Sequence, residues 1–130
     1  MRLFLALLLV AAFSLLGQPQ AKQPPQNRVE ITELSSNRSQ GKINVDGRVK
    51  NTGLRPLAKL VIQVDLLDTD RKVISTRHGP VEEEMLQPDQ ECEFHFYVPD
   101  QPRAALVRLG AESAKYDYVE LVKRGPYPIE

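Results

Sequence analysis

Sulfur and imidazole chemistry are almost missing from this chain. Its 130 residues include one cysteine, two histidines and no tryptophan. A single cysteine forms no intrachain disulfide and no Cys-rich metal site. An excess of charge of one sign is missing too: 17 Lys and Arg balance 17 Asp and Glu, so no global basic field attracts nucleic acid. No Ser-His-Asp order, phosphate loop or nucleotide fingerprint occurs. No stretch has convincing helical amphipathicity, and only one apolar run is long. The length allows one domain and leaves little for a second. With 42% hydrophobic and 26% charged residues, the composition is that of a globular chain and excludes a wholly disordered or fibrous one.

The one long apolar run reads as a targeting signal. Met1 and Arg2 give a short positive start, and Leu3 to Leu16 carry no charge and one polar residue, Ser14. At about 1.5 Å per helical residue the run spans about 21 Å, short of the roughly 30 Å of a bilayer core. It therefore suits the hydrophobic region of a signal peptide better than a transmembrane span or a buried core helix. Cleavage is expected after Ala21. Pro19 is a poor residue three positions from that cut, so an uncleaved signal anchor stays open as the one membrane attachment. No cysteine follows the run, which excludes lipid attachment of the bacterial lipoprotein kind. The expected organisation is a signal over 1–21, a Pro/Gln linker over 22–27, one domain over 28–122 and a loose tail over 123–130. The expected location is outside the cytoplasm: periplasmic, secreted or on the cell surface.

The domain reads as strands and turns. Ile43, Val45, Gly47 and Val49 alternate with Lys42, Asn44, Asp46, Arg48 and Lys50, a period-two strand with one wet face. Asn51-Thr52-Gly53 ends it with turn chemistry. Leu60, Ile62, Val64 and Leu66 then alternate with Val61, Gln63, Asp65 and Leu67. Apolar residues fall on both faces there, which predicts a central strand. Asp68-Thr69-Asp70 predicts a hairpin turn and Lys72 to Arg77 the returning strand. Between Cys92 and Val98, Cys92, Phe94, Phe96 and Val98 share the inward face, and Glu93, His95 and Tyr97 the outward one. Val29 to Leu34, Ala104 to Ala111 and Tyr116 to Val122 complete about seven short strands, the spacing of a sandwich or barrel.

Particular residues carry a resemblance. The run from Gly47 to Gly53, then Pro56-Leu57, then Val61 to Asp68, resembles the FxLYD domain family. So does Leu86-Gln87-Pro88-Asp89-Gln90-Glu91 leading into Phe94 and Phe96. Val64 stands where the family name has Phe and Leu67 where it has Tyr; Asp89 replaces a usual Gly. The resemblance covers Val29 to Ala114. It implies an immunoglobulin-like β-sandwich of the kind common in exported bacterial proteins, and it brings no catalytic residues.

Candidate chemistry is thin. Cys92 is in phase with Phe94 and Phe96, so it is expected to be buried as a small apolar residue rather than to act as a nucleophile. His95 projects to the opposite face, away from Cys92. Zinc needs three or four convergent ligands, and no spacing around His78 or His95 supplies them. Glu82-Glu83-Glu84, with Asp89, Glu91 and Glu93 nearby, lacks the ligand alternation of a calcium loop and suits a solvated edge that discourages sheet pairing. Asp65, Asp68 and Asp70 invite a paired-carboxylate reading, but turn chemistry explains the last two. Asn37-Arg38-Ser39 matches a glycosylation acceptor between two strands, relevant only in a eukaryote. Lys42, Arg48 and Lys50, with Glu93, His95 and Tyr97, make the candidate interaction face, although such alternation also describes an ordinary wet sheet face.

These readings predict no catalytic, cofactor or metal site. The expected role is a non-enzymatic exported interaction or scaffold module that holds a protein or cell-envelope component by a sheet face, an edge or loops. The alternative is an envelope assembly or chaperone-like factor that adds a strand to its client. A small exported enzyme is disfavoured.

Overall fold

The computed structural model describes residues 26–114 and 118–130. The apolar run Leu3 to Leu16 and the cut after Ala21 lie outside them, as does Tyr116. The strands are β1 (Arg28–Ser39), β2 (Lys42–Asn51), β3 (Leu57–Ala58), β4 (Val61–Leu67), β5 (Val73–Pro80), β6 (Met85–Leu86), β7 (Glu91–Pro99), β8 (Leu106–Glu112), β9 (Glu120–Val122) and β10 (Tyr127–Pro128). The described residues contain no helix. Six strands have seven residues or more, and the other four are short pieces.

Two four-stranded sheets, ordered β7-β2-β1-β9 and β10-β8-β4-β5, stack over one core, and β3 pairs with β6 in a small ribbon. The expected alternation builds the core. Ile43, Val45 and Val49 from β2 and Phe94 and Val98 from β7 meet Ile62, Val64 and Leu66 from β4 and Val107 and Leu109 from β8. All are at most 1% exposed. Cys92 is buried with them, and burial raises its thiol pKa above the ordinary value. As expected of its two-faced apolar pattern, β4 is central, between β8 and β5.

Three expectations change. First, β1 runs past Leu34 to Ser39. A bulge between Ile31 and Glu33 puts an extra residue, Thr32, opposite β2. One inserted residue inverts the facing of every later side chain. Val29 and Ile31 are buried before it and Ser36 after it, so a fixed period of two loses the strand halfway. Asn37-Arg38-Ser39 accordingly lies within β1, not between strands, and Asn44 Nδ2 donates to Asn37 Oδ1 at 3.1 Å. Gln40 and Gly41, with φ of 55° and 73°, close the β1–β2 hairpin as a two-residue turn of the kind that follows strand twist.

Second, Leu67 is 1% exposed although it follows Asp65 and Gln63 on the face expected to be wetter. It lies at a strand end where its pairing with β5 shifts register and the Ala105 amide donates to its carbonyl at 2.8 Å. Third, the tail is not loose. Tyr127 and Pro128 pair with Val107 and Leu106. Ile129 N donates to Ala105 O at 3.0 Å and Glu130 N to Ser36 O at 2.9 Å, while Arg38 N donates back to Glu130 O. The ordered domain thus extends beyond 122.

Turn chemistry behaves as the sequence suggests. Asp68 Oδ1 accepts from the amides of Asp70 and Lys72, both at 2.9 Å. The Asn51 side chain is fully buried. It accepts from Gly53 N and donates to the carbonyls of Arg55 and Leu86, which fastens the turn after β2 to β6.

Candidate functional site

The outward face of β2 and β7 gathers all six candidate residues. The antiparallel register sets Lys50 opposite Glu91, Arg48 opposite Glu93, Asp46 opposite His95, Asn44 opposite Tyr97 and Lys42 opposite Pro99. Cross-strand neighbours on one face stand about 5 Å apart at Cβ, so charges of opposite sign meet. Arg48 reaches Glu93 at 3.0 Å and Glu91 at 3.7 Å. Lys42 Nζ lies 5.8 Å from the centroid of the Tyr97 ring, within cation–π range. Lys42, Arg48 and Lys50 therefore do not form a free basic stripe: Arg48 is paired with two carboxylates and Lys42 rests on an aromatic ring.

At the centre of this face His95 Nδ1 lies 2.7 Å from Asp46 Oδ1. Its Nε2 lies 3.4 Å from Glu82 Oε1 and 3.7 Å from Glu93 Oε2. The hydrogen bond to Asp46 raises the imidazole pKa above its ordinary value, and the charges of Asp46, Glu82 and Glu93 add to the rise. Glu82 comes from the segment after β5. It is held against β7 because its amide donates to Glu93 O at 3.2 Å. An open groove of about 290 Å³ beside the cluster is lined by Leu34, Gly47, Arg48 and His95 among others.

The sequence places Glu93 beside His95 on one outward face; the fold adds Asp46 and Glu82. Asp46 sits on β2, whose register with β7 no local pattern states. Glu82 belongs to an acidic run whose other members, Glu83 and Glu84, stay out of the cluster. The only signal available is the alternation that puts Asp46 and His95 on outward faces. His78 is elsewhere, bonded to Gln63 Oε1 at 3.1 Å on the second sheet.

A second polar group surrounds Asp65, which is 6% exposed. Its Oδ1 accepts from Thr76 Oγ1 at 2.8 Å and Gln63 Nε2 at 3.1 Å, and its Oδ2 from Arg108 at 3.3 Å. These bonds tie β4 to β5 and β8. Asp68 is spent on its turn. The three aspartates share no site.

No family model and no curated protein matches the chain. Solved structures similar to it include the C-terminal domain of Wzt, at 12% identity over 85% of this chain and 83% of that one, with a TM-score of 0.48. The CARDB domain of a Pyrococcus furiosus protein is similar at 16% identity over 86% and 89%, with a TM-score of 0.40. The beta-glucuronidase 2 of Bacteroides uniformis is similar at 16% identity over 72% of this chain but 12% of that one, with a TM-score of 0.44. At these scores the likenesses carry no argument about what the chain does.

Proposed function

We propose that the chain is an exported, non-enzymatic interaction domain that presents the outward face of β2 and β7 to a protein partner at or beyond the cell envelope. The observation that carries the reading is Tyr97, an aromatic side chain left 68% exposed beside Lys42 at the end of an ordered strip of ion pairs. Tyr and Arg are the residues that interfaces concentrate, and both stand on this strip in fixed geometry. The order of the long strands favours an immunoglobulin-like topology, with the first, second and fifth in one sheet and the third and sixth adjacent in the other. The FxLYD-like residues and the apolar N-terminal run are consistent with such a domain outside the cytoplasm.

The second reading, strand addition, has one observation in its favour: β5 is the outer strand of its sheet and five of its eight residues are exposed. Photo-crosslinking in the native host separates the two. A crosslinking residue in place of Tyr97 is expected to capture a partner that the same residue in place of Tyr118, 74% exposed, does not. Capture from Arg77 on β5 with none from Tyr97 would replace the face reading by strand addition. An intact N-terminus in the soluble cytoplasmic fraction, read by mass, would remove the export part.

A further inference from the structure

We propose that His95, Glu82 and Glu93 form a binding site for a single divalent transition-metal ion of the zinc class, with Asp46 as the residue that positions the imidazole.

The hydrogen-bond inventory of the imidazole leads there. Asp46 Oδ1 is an acceptor at 2.7 Å from Nδ1, so Nδ1 carries the hydrogen. A carboxylate on the far nitrogen is how metal-binding histidines are commonly held. Nε2 is then left with a lone pair and lies 3.4 Å from Glu82 Oε1 and 3.7 Å from Glu93 Oε2, two more acceptors. Acceptors facing one another repel unless a positive charge lies between them. Either a second proton or a metal ion meets that need.

The spacing suits the ion. Zinc bonds of about 2.0–2.2 Å to nitrogen and oxygen in a tetrahedron place the ligand atoms about 3.3–3.6 Å apart. The two separations from Nε2 already have that size within about 0.2 Å. All three donor atoms lie within 4.8 Å of one another, so the remaining carboxylate–carboxylate edge closes by side-chain rotation. Three protein donors leave a fourth position for water or for a donor from a partner. The set mixes one imidazole with carboxylate oxygens, which favours zinc-class ions over calcium, whose sites are built from six to eight oxygens. Arg48 touches Glu93 through Oε1 and His95 faces Oε2, so the arginine holds one oxygen of this carboxylate and leaves the other for the ion.

The inference goes beyond the interaction reading and does not need it: an ion binds here whether or not Tyr97 meets a partner. The test is calorimetric titration of the untagged, metal-stripped chain with zinc chloride alone, followed by NMR of the two histidines. One equivalent is expected to bind, with the His95 ring signals shifting and those of His78 unmoved. His95→Gln is expected to abolish binding. Glu82→Gln and Glu93→Gln are each expected to weaken it at least tenfold, and Asp46→Asn to weaken it about tenfold or more, the usual effect of losing a partner of a metal-bound histidine. His78→Gln is expected to leave it unchanged. All five positions are on the surface, and circular dichroism checks that each variant folds. Absence of saturable binding by folded wild-type protein would overturn the proposal in favour of a doubly protonated imidazole. So would binding that survives His95→Gln.

Discussion

The ring of Phe94 lies across the backbone of Gly47. The two residues are cross-strand partners, and a β-carbon on Gly47 would stand 2.4 Å from Phe94 Cζ and 2.8 Å from Glu33 O. The glycine is there for close approach, since its place in the β2 alternation would otherwise take a Val or Ile. Gly47→Ala forces a buried ring or a strand to move, and overpacking of this kind costs about 1–3 kcal/mol. Urea denaturation measures it. Combining Gly47→Ala with Phe94→Leu is expected to recover part of the loss, because the two changes share one contact; strict additivity would show that the clash is with Glu33.

Leu67 and Phe96 test the assignment of faces. From alternation alone Phe96 is inward and Leu67 outward, so Leu67→Ala is expected to be the milder change. The structure removes that ordering, since Leu67 is 1% exposed and Phe96 8%. Truncation of buried Leu costs about 2–5 kcal/mol and of buried Phe about 3–5 kcal/mol. Both variants are therefore expected to lose at least 2 kcal/mol in chemical denaturation. A loss below about 1 kcal/mol for Leu67→Ala would restore the outward reading.

Those two residues also show what the sequence can report. The centres of β2, β4 and β7 are legible because each keeps strict alternation where one face is dry, and a one-residue error there would expose a whole row of Val, Ile and Phe. The ends are not, because burial there depends on what the chain later lays over them. The bulge at Thr32 and the return of Tyr127 to Glu130 are both tertiary facts. The candidate site divides in the same way. Its outward phase is written in β2 and β7, whereas the meeting of Asp46 with His95 depends on inter-strand register, and that of Glu82 on a connection with no repeating pattern.

Asn51 stands on a local signal with a long-range consequence. Its sequence context announces a turn, but its amide also reaches Leu86, 35 residues away. Replacement by Ala strips Gly53 N and the carbonyls of Arg55 and Leu86 of one partner each. A buried group left unsatisfied costs about 1–3 kcal/mol, so Asn51→Ala is expected to cost about 3 kcal/mol or more. Asn51→Asp keeps the acceptor but loses both donors, and is expected to be no better. Thermal melts of the two variants decide it, and a loss under 1 kcal/mol would mean that water replaces the amide.

Removal of residues 125–130 tests the fastening of the C-terminus. It takes away β10, the amide donors of Ile129 and Glu130, and Pro128 O, to which buried Ser36 Oγ donates at 3.0 Å. Net hydrogen-bond contributions of about 1 kcal/mol each and the loss of Ile129 from the edge of the core predict a fall of several kcal/mol. Faster amide exchange at Arg38, whose N donates to Glu130 O, is expected to accompany it. Unchanged stability would make the tail dispensable, as its two prolines suggest at first sight.

The last prediction concerns the charge state of His95 in the metal-free protein. Its pKa is raised, first by the hydrogen bond to Asp46, against a smaller lowering by desolvation, with the charges of Asp46, Glu82 and Glu93 adding to the rise. The folded state therefore binds the imidazole proton more tightly than the unfolded state, whose pKa is about 6.5. By linkage, the stability this contributes is fully present below about pH 6.5 and is lost as the pH rises through the folded pKa. The side chain is 43% exposed, so the thermal effect is small and the proton itself is the better probe. NMR titration of the ring signals is expected to place His95 above the ordinary histidine value. Asp46→Asn is expected to bring it back most of the way, and Glu82→Gln less. A larger shift from Glu82→Gln than from Asp46→Asn would mean that the Nε2 side, not the 2.7 Å bond at Nδ1, sets the affinity for the proton.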